Sequence, residues 1–155
     1  MRGPDSLNDD RTRPENVGEA GTSPAARSLL DKLGVRPGSR VGLLGMQDRN
    51  FPRELADRGA EVSIGREVAI RRRRQPLDLV FLSIERSEDL DRLATVEPLI
   101  ERNGAIWAVY PKGRKDLKET DVIAAGVSVG LVDNKVVRFS ESLTALRFVI
   151  PLARR

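Results

Sequence analysis

The sequence contains no cysteine and no histidine. Without cysteine there is no disulfide framework, no thiolate metal site and no thiol nucleophile. Without histidine the chain lacks the commonest metal ligand and proton shuttle, and every catalytic triad built on Ser-His or Cys-His is excluded. An active site would have to use Asp, Glu, Lys, Tyr, Ser or backbone groups, and we predict no metal site.

Long apolar runs are also missing. No stretch approaches the ~20 residues that a membrane-spanning helix needs, and the first residues are polar, unlike the apolar region of a signal peptide. We therefore expect a cytoplasmic protein with no membrane partner. The 155 residues suffice for one ordinary domain, which buries about 70% of its unfolded surface on folding.

Aromatic residues make up only 4% of the chain, whereas its net charge is +4. The most concentrated positive charge is the run Arg71, Arg72, Arg73 and Arg74. Such a run attracts phosphate, with an affinity that falls steeply as salt rises. Because no aromatic residue is interleaved for base stacking, nucleic-acid binding here would be weak. We favour a solvated connection between strands.

The composition changes near residue 25. Residues 1–25 are rich in Gly, Pro, Ser, Asn, Asp and Arg and nearly free of large apolar side chains. A segment of this kind cannot bury enough surface to offset its ordering entropy. We predict a disordered N-terminal tail over 1–25 and a single Rossmann-like α/β domain over 26–155.

Hydrophobic periodicity predicts alternating helices and strands that end in a hairpin. The predicted helices span 26–33, 51–59, 88–102 (with Ser87 as N-cap) and 116–125, and the predicted strands span 41–44, 61–64, 68–70, 77–84, 105–110, 131–139 and 143–152. Pro98 should kink its helix or end it early, and Asn103-Gly104 should stop it. The pattern predicts a three-layer α/β sandwich, mostly parallel, with an antiparallel closing pair.

The clearest functional signal is the segment Arg40–Gly45, R-V-G-L-L-G. A short apolar strand that ends in glycine opens many nucleotide-binding α/β domains. Here no second or third glycine follows, and Gly65-Arg66 stands where an acid normally ends the second strand to hold ribose hydroxyls. These departures favour a structural role for Gly45 over a cofactor site.

A basic loop, Pro111–Lys115, follows one predicted strand and precedes a predicted helix. In open α/β sheets, ligands bind at the carboxyl ends of the strands. Lys112, Arg114 and Lys115 could therefore hold an anion near the start of that helix. A solvated basic loop is the interpretation that we favour.

The triplet Asp133-Asn134-Lys135 is a further candidate. Asp133 could act as a general base or pair with Lys112, and Lys135 could bind an anion. Turn chemistry or a local ion pair is the commoner role for such residues. Ser83 lacks a histidine base and is not expected to act as a nucleophile.

Trp107 and Tyr110 lie three apart in one predicted strand, so their side chains should point to opposite faces of the sheet. We interpret both aromatic residues as core residues.

Ser83 and Glu85 lie near the end of another predicted strand and could face a cleft.

Four segments resemble the class I methyltransferase architecture. They are Arg40–Gly45, Pro76–Ile84, Leu99–Lys112 and Leu131–Leu152. The resemblance implies a methyltransferase-like fold, shortened by about one βα unit between Ile64 and Pro76.

A closer resemblance links the chain to a family of small bacterial proteins known only as a domain of unknown function. It rests on the segments Leu33–Gly45, Trp107–Lys112, Gly130–Val136 and Leu146–Val149. That family often has Trp-Ser where this chain has Leu143-Thr144. The resemblance implies the fold and no activity.

We interpret the chain as a non-catalytic, methyltransferase-like domain that binds a protein partner or a small anionic ligand and needs no cofactor. The alternative is a small divergent S-adenosylmethionine-dependent methyltransferase with Gly45, Gly65, Glu85 and Lys112 at its cofactor site, since methyl transfer can work largely by positioning. The second alternative is weak nucleic-acid binding by Arg71–Arg74.

Overall fold

The fold is described from a computed structural model for residues 23–66 and 75–155. Residues 1–22 of the predicted tail, the predicted strand 68–70 and the run Arg71–Arg74 lie outside the described residues. The first helix begins at Pro24, two residues earlier than predicted. The Ser23 side chain accepts a hydrogen bond from the backbone of Ala26, and proline fits the first helical turn.

The described residues form one sheet with helices on both faces. The strands are β1 Arg40–Leu44, β2 Glu61–Ile64, β3 Leu77–Ser83, β4 Ile100–Pro111, β5 Val132–Arg138 and β6 Leu143–Val149. The helices are α1 Pro24–Leu33, α2 Asn50–Arg58, α3 Arg92–Val96 and α4 Glu119–Ser128, with 3₁₀ turns at Ser87–Asp91, Glu97–Leu99 and Leu152–Arg154.

The strand order is β2-β1-β3-β4-β6-β5. The first four strands of this order are parallel, and β6 runs antiparallel to both of its neighbours. This arrangement confirms the predicted fold class, a mostly parallel sheet that ends in an antiparallel hairpin. The predicted strands 77–84 and 105–110, now β3 and β4, are parallel neighbours in this sheet.

Two hydrophobic clusters cover the two faces of the sheet. One contains Phe51, Phe81 and Trp107 beneath α1 and α2, and the other contains Tyr110 and Phe148 beneath α3 and α4. Trp107 and Tyr110 therefore lie on opposite faces, as predicted. The buried indole N–H of Trp107 donates to the carbonyl of Leu33 at 3.1 Å, which ties α1 to the sheet.

The helix predicted over 88–102 consists of the short α3 between the 3₁₀ turns Ser87–Asp91 and Glu97–Leu99, so its predicted end at residue 102 is wrong. The early end predicted at Pro98 is confirmed, because Pro98 has no N–H to donate and its ring clashes with a preceding helical turn. Asn103 and Gly104 do not stop a helix; they lie in an irregular part of β4. Gly104 fits there because a Cβ atom would lie 2.8 Å from the carbonyl oxygen of Asp78 in β3.

The helix predicted over 116–125 begins later, at Glu119. Asp116 pairs with an arginine instead of starting the helix, and the Asp121 carboxylate accepts the backbone N–H of Lys118 at 2.9 Å. Gly126 is an interior residue of α4 and does not end it. A Cβ atom there would overlap the ring of Phe148, so the glycine lets α4 approach the sheet closely.

In residues 23–66 and 75–155, no helix is both long and apolar enough to cross a bilayer. The same residues contain no group of three or more His, Cys, Asp or Glu side chains placed to hold a metal ion.

Candidate functional site

The strand order reverses between β1 and β3. From β1 the chain passes to β2 on one side, and it then returns to β3 on the other. Open α/β sheets bind ligands outside the carboxyl ends of their strands at such a point. Gly45 follows β1 here, and Ser83 and Glu85 lie at the end of β3. With Arg92, these residues define the β1–β3 crevice.

Gly45 has an exposed backbone with φ of +76°. This left-handed conformation favours glycine over residues that carry a Cβ atom. A Cβ atom at this position would lie 3.3 Å from Cβ of Ser83 and 3.7 Å from Nη1 of Arg92. The Arg92 guanidinium therefore lies beside the turn that receives the nucleotide in nucleotide-binding α/β domains.

Sequence reasoning missed Arg92. The residue is half-buried at the start of α3, and the sequence shows only that it follows β3 by several residues. Its approach to Gly45 depends on how the 3₁₀ turn and α3 pack against the strand ends, and no local motif encodes that packing.

The loop after β3 is held by the carboxylate of Asp89. Its Oδ2 accepts the backbone N–H groups of Glu85 at 2.9 Å and of Arg86 at 3.1 Å. Asp89 thus caps this turn, and the predicted N-cap, Ser87, donates instead to the side chain of Glu88. The Glu85 side chain is exposed at the edge of the crevice.

The basic loop after β4 is tied to the loop after β3. Arg114 donates from Nη1 to the carbonyl of Glu85 at 2.7 Å and forms a two-pronged pair with Asp116, at 3.0 Å from Nε and 2.6 Å from Nη2. The hydrogen bond from Arg114 lowers the pKa of the Asp116 carboxyl and raises the pKa of the guanidinium. Arg114 therefore bridges two strand ends, and its charge is already matched by a carboxylate.

A cavity of about 250 Å³ opens beside this loop, and we call it the β4–β6 cavity. Its lining residues are Tyr110, Lys112, Gly113, Arg114, Leu117, Lys118, Glu119 and Thr144. Lys115 belongs to the same loop but does not line the cavity. Of the predicted anion-binding candidates within the described residues, the structure therefore places Lys112 and Arg114 here and leaves Lys115 outside.

Tyr110 and Thr144 face each other directly across β4 and β6, so their side chains lie on one face of the sheet. Burial raises the pKa of Tyr110 to about 12, and the nearby charge of Glu119 contributes to the rise. The phenol is therefore neutral near pH 7 and has a proton to donate. The sequence interpretation placed Tyr110 in the core and named neither Lys118 nor Thr144 as a candidate site residue.

The proposed pairing of Asp133 with Lys112 is wrong. Asp133 lies level with Phe148 and hence with Ile106 of β4, whereas Lys112 follows the last residue of that strand. Ile106, which is level with Asp133, lies six residues before Lys112, and six residues of strand span about 20 Å. Asp133 also lies two strands away from β4 in the sheet.

Asn134 and Lys135 have structural contacts. The Asn134 side-chain oxygen accepts from Nη1 of Arg147 at 3.3 Å, and Nζ of Lys135 donates to the carbonyl of Lys32 at 2.8 Å. Lys32 lies in the last turn of α1, where backbone carbonyls lack partners within the helix. Lys135 thus links α1 to the edge of the sheet, in keeping with the structural role favoured for this triplet.

A larger cavity of about 530 Å³ lies between α1, the start of α2 and the turn from β5 to β6. Its lining carries both signs of charge, including Asp48, Glu54, Lys32 and Arg138. Burial, together with the nearby charge of Asp48, raises the pKa of Glu54. The sequence analysis named none of these residues, because they come from segments far apart in the chain.

The sequence matches no protein-family model and no curated protein. Solved structures do match the fold. A methyltransferase from Aquifex aeolicus described as SAM-dependent, where SAM is S-adenosylmethionine, gives a TM-score of 0.63 at 12% identity, over 81% of this chain and 89% of that one.

Two other methyltransferases are similar. The magnesium protoporphyrin IX methyltransferase of Synechocystis PCC 6803, solved with bound SAM, gives a TM-score of 0.59 at 16% identity, over 82% of this chain and 76% of that one. The 1,6-didemethyltoxoflavin-N1-methyltransferase of Burkholderia thailandensis, solved with S-adenosylhomocysteine, gives a TM-score of 0.61 at 12% identity, over 86% of this chain and 80% of that one. At such identities the likeness establishes the fold alone. The chain therefore has the Rossmann-like fold of the class I S-adenosylmethionine-dependent methyltransferases, in a small form.

Proposed function

We propose that this protein is a small, divergent S-adenosylmethionine-dependent methyltransferase that binds its methyl donor in the β1–β3 crevice. The observation that carries the proposal is Gly45. Its exposed, left-handed backbone lies where the strand order reverses, which is where this fold class receives ligands. Two of the similar structures hold SAM or S-adenosylhomocysteine, which supports the same ligand class here.

The residues of the crevice fit one end of this donor. S-adenosylmethionine ends in an amino-acid carboxylate, and a guanidinium recognises carboxylates well. Arg92 lies 3.7 Å from the position of a Cβ atom on Gly45, so Arg92 and the Gly45 backbone would hold that carboxylate. The exposed Glu85 would face the cationic amino group. The ribose end has less support, because Gly65 is followed by Arg66 and not by an acid.

S-adenosylmethionine, when bound, supplies an activated methyl group. The task left to this chain is to hold the donor and an acceptor in line, which by itself accelerates transfer reactions strongly. Absence of histidine is compatible with this role, since positioning needs no proton shuttle.

Isothermal titration of the full chain with S-adenosylmethionine and S-adenosylhomocysteine tests the proposal. We expect saturable binding of both, weakened about tenfold or more by Arg92→Gln, because a charge-assisted hydrogen bond is lost. Arg36→Gln is the matched control, since the exposed Arg36 precedes β1 at the opposite edge of the sheet. Absence of heat with both ligands would refute the proposal.

The second candidate function is that of a non-catalytic binding protein, and Arg92 favours this function. The sulfonium of S-adenosylmethionine is a cation, and Arg92 and Arg66 both add positive charge near the strand ends. If the Arg92 side chain fills the crevice, the unaltered chain binds no methyl donor and Arg92→Gly gains binding. Replacing Arg92 should therefore weaken binding of the methyl donor if the protein is a methyltransferase, and should create binding if it is a non-catalytic binding protein.

A further inference from the structure

We propose that the β4–β6 cavity is a binding site for a small oxyanion, the phosphate or carboxylate group of a ligand, held by Tyr110, Thr144, Lys112 and Lys118. This site is distinct from the β1–β3 crevice and does not depend on methyl-donor binding.

The first observation is the state of Tyr110. Only 4% of this residue is exposed, and it lines the cavity. Within residues 23–66 and 75–155, its hydroxyl makes no hydrogen bond, although a buried hydroxyl normally has a partner. Since the group is neutral near pH 7, it can donate to a negatively charged oxygen atom.

The second observation is the set of donors that surrounds this hydroxyl. Thr144 lies opposite Tyr110 on β6 and adds a second hydroxyl. Lys112 comes from the end of β4, and Lys118 precedes α4, so two lysines from separate segments line the cavity. Hydroxyl and ammonium donors together form a typical environment for an oxyanion.

The charge and the size of the cavity narrow the ligand class. Lys112 and Lys118 outweigh Glu119, the single acid among the lining residues, whereas Arg114 is matched by Asp116. The volume of about 250 Å³ is below the roughly 300–1,000 Å³ of pockets that enclose a drug-sized molecule. The cavity therefore suits an ion or one charged group of a ligand.

The backbone of the site is already fixed. The N–H of Lys112 donates to the carbonyl of Ser142 at 3.0 Å, which joins the basic loop to the turn before β6. Arg114 holds the same loop against the carbonyl of Glu85. An anion would thus enter a preformed site, with little loop ordering to oppose binding.

Isothermal titration of the full chain with sodium phosphate, sulfate and acetate, at an ionic strength held constant with chloride, tests the proposal. We expect saturable binding of at least one oxyanion. Tyr110→Phe and Lys112→Gln should each weaken it about tenfold, because each removes a hydrogen bond to a charged group. Glu119→Gln should strengthen it, because it removes the repelling acid. Comparing phosphate with acetate separates a tetrahedral from a planar oxyanion.

Lys115→Gln is the matched control. It removes the same charge from the same loop, but its side chain lies outside the cavity, so affinity should change by less than about twofold. Equal weakening by Lys112→Gln and Lys115→Gln would show only a diffuse basic surface and overturn the proposal. Unchanged binding by Tyr110→Phe, or no heat with any of the three anions, would also overturn it.

Urea unfolding of Tyr110→Phe provides a readout that does not depend on the ligand. An unpartnered hydroxyl stabilises nothing, so in anion-free buffer the variant should be as stable as the unaltered chain or more stable. Added phosphate should raise the unfolding midpoint of the unaltered chain and leave that of Tyr110→Phe nearly unchanged. A variant destabilised in anion-free buffer would place the hydroxyl in a structural contact and contradict the proposal.

Discussion

The β1–β3 crevice and the β4–β6 cavity lie at the same edge of one sheet, yet they are specified in different ways. The crevice is defined by backbone, through the left-handed Gly45 and the N–H groups that Asp89 holds. The cavity is defined by side chains, because Tyr110 and Thr144 are paired across strands and both line it. The first kind of site follows from the topology of the fold. The second belongs to this chain and indicates its ligand more directly.

The largest effect should come from Gly126→Ala, which alters the packing of α4 against the sheet. The new methyl group would overlap the buried ring of Phe148. We expect the free energy of unfolding to fall by about 1–3 kcal/mol, as overpacked cores show, despite the better helix propensity of alanine. Urea unfolding measures the loss.

Val127→Ala is the control for this change, because Val127 is exposed on the same helix and should alter stability by less than about 0.5 kcal/mol. A fully stable Gly126→Ala variant would mean that α4 can move away from the sheet.

Gly45→Ala should have the next largest effect and tests the crevice. A left-handed conformation costs a residue with a Cβ atom roughly 1–2 kcal/mol. Gly38 has a similar φ of +87°, but a Cβ atom there would have no neighbour within 4 Å, whereas one at Gly45 would contact Ser83 and Arg92. We expect Gly45→Ala to lower the free energy of unfolding more than Gly38→Ala. Equal losses, measured in urea, would mean that Ser83 and Arg92 do not obstruct a Cβ atom at position 45.

Much of the fold could be predicted from the sequence, because its signals are local. Gly34 and Gly59 end helices in the left-handed conformation that glycine adopts readily, and the strand Glu61–Ile64 has the predicted bounds. The error over 88–102 arose because Pro98 ended the helix completely and β4 began at Ile100. The extension of that strand depends on its pairing with β3, which is a tertiary interaction.

The candidate sites were predictable only in part. The glycine after β1 and the lysine after β4 could be found, because strand ends are visible in the sequence. Arg92 could not, since its position beside Gly45 depends on the packing of α3. Strand alternation separated Trp107 from Tyr110 correctly, but the cavity beside Tyr110 exists only because β6 and the loop before α4 meet there.

Asp89→Ala should have an intermediate effect on stability. It alters the loop after β3, which lies between the two sites. The Asp89 carboxylate accepts the N–H groups of Glu85 and Arg86, and loss of such a cap costs about 0.5–2 kcal/mol. Glu88→Ala is the neighbouring control, because the Glu88 side chain accepts from Ser87 in an exposed position. If both variants lost the same stability in urea, Asp89 would not be the residue that holds this loop.

The smallest effect should be that of Glu119→Gln on the ionisation of Tyr110. Burial is the larger cause of the raised pKa, and the charge of Glu119 is the smaller one. The variant should therefore lower the pKa of Tyr110 only slightly below about 12. Because the chain has one tyrosine, tyrosinate absorbance against pH measures this group alone. A pKa at the ordinary value of 10.0 in the unaltered chain would mean that the phenol is solvated and that the β4–β6 cavity is open around it.

The same ionisation gives stability a defined dependence on pH. The folded chain holds the Tyr110 proton up to about pH 12, whereas the unfolded chain releases it near the ordinary value of 10.0. Between these values the folded state binds more protons, so this group's contribution to the free energy of unfolding is complete below pH 10 and is lost as pH rises toward 12. Tyr110→Phe should remove this part of the decline, and Glu119→Gln should reduce it slightly. If Tyr110→Phe declined as steeply as the unaltered chain, the buried phenol would not be the group responsible.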